Sequence, residues 1–206
     1  MTIKKVKNKV DMSEKVCSII IEIPNLKRNY LKQETSEICK RNNLKRKECS
    51  HISIEPSFRC TSEKFRISLN SLLMMQETFD INLDTIGFFE KTKEKSGLAY
   101  LTTSNKGQIE KLTDLYNKVE KIIDAKGRPF IPHVALIDWA PINDVIDAGY
   151  MLQTRINSMG LTVNELVLKK RETLQHWKDY GRFSFGESNF HVNDFLQQRA
   201  NINQFF

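Results

Sequence analysis

The chain has 206 residues, 40% of them hydrophobic and 28% charged, with a formal charge of +7. That length fits one domain, or one domain built from two similar halves, with enough apolar residues for a substantial core. No apolar run reaches membrane-spanning length, the basic opening Met1–Lys9 lacks the apolar stretch of a signal peptide, and Cys17, Cys39, Cys49 and Cys60 form no Cys-x-x-Cys pair or zinc spacing, which disfavours a membrane protein, a secreted disulfide scaffold and a zinc module. A cytoplasmic monomer with reduced thiols is expected, and the positive balance of Lys+Arg 32 against Asp+Glu 25 suits a polyanionic partner such as RNA or a nucleotide.

Val16 to Ile23 is β-branched and apolar up to Pro24, which predicts a buried strand. Asn25 to Asn42 reads as a helix with Asn25 as N-cap and Leu26, Tyr30, Leu31, Ile38 and Cys39 near one face. After the basic turn Leu44–Lys47, Ser50 to Pro56 alternates as a strand. Ser62 to Thr78 predicts a helix, capped by Ser62, with Phe65, Leu69, Leu72, Leu73, Met74 and Met75 on its apolar side. Phe79 to Phe89 predicts one strand bent at Gly87, and Leu98 to Thr102 another. Asn105 to Ala125 is a long amphipathic helix. Arg128 to Ile137 is strand-like, and Pro141 opens a helix that runs to Met159. Leu161 to Lys170 and His176 to Phe185 read as an antiparallel pair. Interleaved helices and antiparallel strand pairs predict an α+β fold.

Two segments echo each other. Ser50-His51-Ile52-Ser53-Ile54 and Pro132-His133-Val134-Ala135-Leu136 each put a histidine at the start of a strand, with Arg46 and Arg128 at matching distances upstream. Such an echo is what two halves related by a pseudo-two-fold axis leave behind. Side chains two apart in a strand share a face, so His51 goes with Ser53 and His133 with Ala135, while Ile52, Ile54, Val134 and Leu136 face the core. Two histidines on either side of a phosphate supply a base and an acid near neutral pH, and hydroxyls or arginines hold the remaining oxygens. No metal or other cofactor is required for that chemistry. One histidine on a strand is more often structural than catalytic; the weight rests on the pair. Trp139, Phe130, Tyr100 and Trp177 are candidates for stacking on a base, although core packing is the commoner use of each, and His176 and His191 read as structural.

The stretch Arg128-Pro129-Phe130-Ile131-Pro132-His133 resembles the second motif of the two-histidine phosphoesterase superfamily, in particular the LigT-like RNA 2′,3′-cyclic phosphodiesterases, also called 2′-5′ RNA ligases. Phe79–Phe89 looks like the family strand that leads to an Ile-Gly-x-Phe bend, and Leu161–Leu168 like its late strand. The resemblance covers residues 16–186, leaving 1–15 as a basic tail and 187–206 as a C-terminal extension. It implies two pseudo-symmetric lobes of mostly antiparallel sheet with flanking helices around a central cleft. It also implies a metal-independent phosphodiesterase acting on a cyclic or 2′-5′-type bond, with His51 and His133 as catalytic groups and Ser53 and Arg128 holding phosphate. The family motif is His-x-Thr/Ser, and here Ala135 replaces the second hydroxyl. That departure keeps open a nucleotide- or RNA-binding module with impaired catalysis, beside a basic interaction protein whose histidines are merely structural. The geometric expectation is that His51, Ser53 and His133 line one cleft from adjacent central strands.

Overall fold

The computed structural model describes residues 16–59, 63–123, 129–173 and 176–186. The strands are β1 Val16–Glu22, β2 His51–Arg59, β3 Phe79–Leu83, β4 Thr85–Lys91, β5 Ser96–Thr102, β6 Val134–Pro141, β7 Met159–Val163, β8 Glu165–Arg171 and β9 Trp177–Ser184. The helices are α1 Asn25–Arg41, α2 Glu63–Met74, α3 Lys106–Ile123 and α4 Ile142–Arg155. Three antiparallel sheets result, in the orders β2-β1-β8-β9, β4-β5-β6 and β3-β7. The fold is α+β, as the interleaving predicted.

The two halves correspond element by element. β1-α1-β2-α2-β3-β4 matches β5-α3-β6-α4-β7-β8, and β9 is the additional strand. β1 pairs with β2 and β8, as β5 pairs with β6 and β4, while β3 and β7 pair with each other across the pseudo-dyad. The helices are exchanged: α1 packs on α4 and β6 of the second half, and α3 on α2 and β2 of the first. The two halves therefore share one core, in which Leu31 and Ile38 of α1 and Leu112 and Leu115 of α3 are buried with Ile52, Ile54, Val134 and Leu136. Exchanged helices fix how the outer strands β2 and β6 stand relative to each other.

Several boundaries differ from the sequence reading. The strand expected over Phe79–Phe89 is two strands broken at Asp84, because β3 and β4 join different sheets. Asp84 holds the break by accepting from the Ser104 N–H at 2.8 Å and from the Thr85 hydroxyl at 2.9 Å. Gly87 is not the bend: it sits inside β4 opposite Tyr100, and a Cβ there would meet the Tyr100 ring at 2.5 Å. Asn164 likewise divides the predicted strand Leu161–Lys170 into β7 and β8. Pro24, not Asn25, is the N-cap of α1, and the Asn25 side chain instead accepts from Arg28. α2 stops at Met74 as the Met75 and Gln76 N–H groups turn back to Leu72 and Leu73; Met75, 87% exposed, is no part of its apolar side. Pro141 is the N-cap of α4, and the helix ends at Arg155. Residues 129–133 form no strand, as two prolines in that stretch remove ladder donors. The Ser62 cap, Arg128, Cys60 and His191 lie outside the described residues.

Candidate active site

Residues 45–47 fasten the first half to the second. The Lys47 N–H donates to the Leu136 carbonyl at 2.8 Å, the Asp138 N–H donates to the Lys45 carbonyl at 2.8 Å, and Arg46 bridges Ile137. Lys47 adds a 2.8 Å ion pair with Asp138. The chain then turns through Cys49, whose φ of 51° is in the left-handed region, and enters β2 at His51. An L-residue is held there at a cost of order 1–2 kcal/mol, so this entry is set by its surroundings. The basic run Lys45-Arg46-Lys47 thus works as an inter-half strap, and the Arg46 guanidinium donates to the Lys47 carbonyl at 3.0 Å.

β2 and β6 are the outer strands of two sheets, not adjacent central strands of one. They lie edge to edge because the exchanged helices and the strap hold them so. His51 begins β2 opposite Glu22 of β1, and His133 immediately precedes β6. Ile52, Ile54, Val134 and Leu136 are buried, so the intermediate residues His51, Ser53 and Ala135 share the other face of their strands. Ser53 and His133 line one cavity of about 260 Å³, together with Glu55, Phe89 and Phe130. His51 stands two residues before Ser53 on the same face and is close enough to His133 for its charge to be felt.

The two rings are held differently. His133 Nδ1 lies 2.7 Å from the Ile131 carbonyl oxygen, which can only accept, so Nδ1 carries the proton and the neutral ring keeps a free lone pair on Nε2. Phe89 meets the His133 ring edge-on at 4.9 Å and Tyr100 lies 5.2 Å away; Phe89 and Tyr100 stack on each other at 4.3 Å. Burial lowers the His133 pKa, partly offset by the Ile131 carbonyl. His51 Nδ1 lies 2.9 Å from the Ser50 hydroxyl, which can donate or accept. Burial lowers the His51 pKa, the Lys169 and His133 charges lower it further, and Glu22 works the other way.

Glu22 and Lys169 belong to a charged network that the sequence did not disclose. Lys169 pairs with Glu22 at 3.1 Å and Asp179 at 2.7 Å. Arg182 pairs with Glu22 at 2.6 Å, Glu165 at 2.7 Å and Asp179 at 2.9 Å. These residues come from β1, β8 and β9, so no local motif could reveal them; only matching the two halves strand by strand exposes Lys169, which occupies the place that Phe89 has in the second half. Of the aromatic candidates, Phe130 lines the cavity, stacked on Tyr116 at 4.5 Å, while Tyr100 is buried against Phe89 and His133. Trp139 packs under Lys91 and Trp177 under Arg171, away from it. His176 is exposed beside Glu172. Cys17, Cys39 and Cys49 are buried. Among the described residues no cluster of three or more His, Cys, Asp or Glu is placed to hold a metal ion, and no helix is long and apolar enough to cross a membrane.

Solved structures share this fold. A phosphoesterase crystal structure superposes with a TM-score of 0.59 at 15% identity, covering 84% of this chain and 99% of that one. LigT of E. coli in its apo form gives 0.57 at 15% identity, covering 85% and 100%. The fold is that of LigT. The E. coli protein has also been crystallised with 3′-AMP, and that structure superposes with a TM-score of 0.57 at 14% identity, covering 84% of this chain and 99% of LigT. By sequence, no family model and no curated protein matches the chain. The LigT likeness thus rests on tertiary structure, and the site must be argued from this chain's own residues.

Proposed function

We propose that residues 16–186 form a two-histidine phosphodiesterase unit that hydrolyses a cyclic or 2′-5′-type phosphodiester in RNA ends or small nucleotides. The observation that carries this reading is the convergence of His133 and Ser53 on one cavity beside His51, with a free Nε2 lone pair on His133. That lone pair makes His133 the base, which takes the proton of the attacking hydroxyl or water. His51, when protonated, returns a proton to the leaving oxygen, and the Ser53 hydroxyl donates to a non-bridging oxygen. Proton transfer by two positioned imidazoles needs no metal. Arg128 is proposed as a further phosphate contact. LigT has been crystallised with phosphate as well as with 3′-AMP, which agrees with a nucleotide substrate here.

The test is a panel of 2′,3′-cyclic mononucleotides, cyclic dinucleotides and 2′-5′ oligoadenylate, assayed with excess chelator. Hydrolysis of at least one member that survives chelation is expected. Activity lost with chelator and restored by zinc or manganese would replace this mechanism with a metal-assisted one. A second reading follows from Ala135: a binding module that kept the site and lost turnover. Nucleotide binding without hydrolysis of any panel member would select it.

A further inference from the structure

A second cavity of about 520 Å³ lies against Glu22, the residue opposite His51 in the β1–β2 ladder. Its wall includes Glu22, which pairs directly with His51 across β1 and β2, and it runs on to Asn25 and Arg28 of α1, Asn164 between β7 and β8, and Arg182 of β9. It is within the range of small-molecule sites and large enough for a nucleoside with its phosphate.

The charges in this cavity are unequal in one respect. Glu22 is held by Lys169 and Arg182, and Glu165 by Arg182, so both acids are satisfied. Arg28 makes no contact ion pair among the described residues, the Glu48 carboxylate that feels its charge being held by Lys32 at 2.6 Å; one guanidinium nitrogen donates to the Asn25 side chain, while the buried Nε donor has no acceptor. What bears on a ligand is that the Arg28 side chain lines the open cavity with no carboxylate paired to it there, and phosphate is the anion the guanidinium fork fits best. The cavity at His133 contrasts with it, since Phe89 and Phe130 make that side apolar and smaller.

We propose that the Arg28 cavity holds a second nucleotide unit of the substrate, with Arg28 binding a phosphate other than the one held between His51 and His133. This rests on the phosphodiesterase reading and narrows it. The substrate is a linear chain with groups on both sides of the scissile bond and an outer phosphate, not a lone cyclic mononucleotide.

The test is calorimetric titration of the full chain with adenosine 3′,5′-bisphosphate and 2′,5′-bisphosphate against the 2′-, 3′- and 5′-monophosphates. At least one bisphosphate should bind roughly ten- to a hundredfold tighter than its monophosphates, the range for hydrogen bonds to a charged group. Arg28→Ala should erase that advantage and leave monophosphate affinity intact; Arg28→Gln, which can keep the contact to Asn25, should do the same, guarding against a folding defect. His51→Ala should weaken monophosphates and bisphosphates alike. Lys27→Ala, a neighbouring charge outside the cavity wall, should change neither. Equal wild-type affinity for mono- and bisphosphates overturns the Arg28 site while His51-dependent monophosphate binding leaves the phosphodiesterase reading standing. Matching losses in Arg28→Ala and Lys27→Ala reduce the effect to net charge and also overturn it. No binding of any nucleotide overturns both.

Discussion

The two halves of the cleft have the same strands and opposite chemistry. In the first half Ser18 pairs with Lys169 and Ile20 with Val167; in the second the equivalent pairs are Leu98 with Phe89 and Tyr100 with Gly87. Ile20 also pairs with Ser53, as Tyr100 pairs with Ala135. His51 is therefore backed by charges of both signs, Lys169 opposing its protonation and Glu22 favouring it, while His133 is backed by aromatic rings. A symmetric fold supplies two histidines, and the asymmetric lining makes them different. Both pKa values are lowered, but Lys169 acts on His51 alone, whereas the Ile131 carbonyl fixes the His133 tautomer.

That contrast can be broken at matched positions. Ser53 and Ala135 are equivalents, and only Ser53 brings a hydroxyl. Ser53→Ala should lower kcat by ~10²–10³, the usual worth of one transition-state donor. Ala135→Thr should raise turnover on the true substrate, since it places a hydroxyl at the position equivalent to Ser53. A drop in turnover with binding retained would show that Ala135 makes room for the ligand. A smaller effect is expected at Gly87→Ala, whose Cβ would press on the Tyr100 ring. The displaced ring should cost about 1–3 kcal/mol of stability, read from the denaturant midpoint. A neutral result there would remove the aromatic wall from the account.

The smallest effect concerns pH. Both histidines titrate below their ordinary value of ~6.5, so the bell-shaped profile of kcat/KM should peak on the acid side of neutrality. The alkaline limb marks loss of the proton from the acid. Lys169→Met removes a positive charge that lowers the His51 pKa and releases Glu22, which raises it. The alkaline limb should therefore move to higher pH, with kcat/KM profiles as the measurement. An unmoved limb would detach Lys169 from His51.

The sequence shows much of this fold because the alternation around His51 and His133 is local. Ile52, Ile54, Val134 and Leu136 face the core as period two requires, and the strand-helix order follows from apolar spacing. The breaks at Asp84 and Asn164 were hidden because each follows from which sheet the next strand joins, a long-range outcome. The charged network was hidden for a related reason: Glu22, Lys169, Asp179 and Arg182 meet only when β1, β8 and β9 pair. The strap was visible only as a basic turn. Its use in joining the halves depends on backbone groups of Leu136 and Asp138 far along the chain.

The central claim is that His51 and His133 act as one unit on one phosphate. The most direct measurement is kcat on the best panel substrate for wild type, His51→Ala, His133→Ala and the double variant. Each single change should cost ~10²–10⁴, and the second change should add little once the first has been made, because neither histidine completes the reaction alone. Losses that multiply in full, or a double variant that keeps wild-type turnover, would contradict the account.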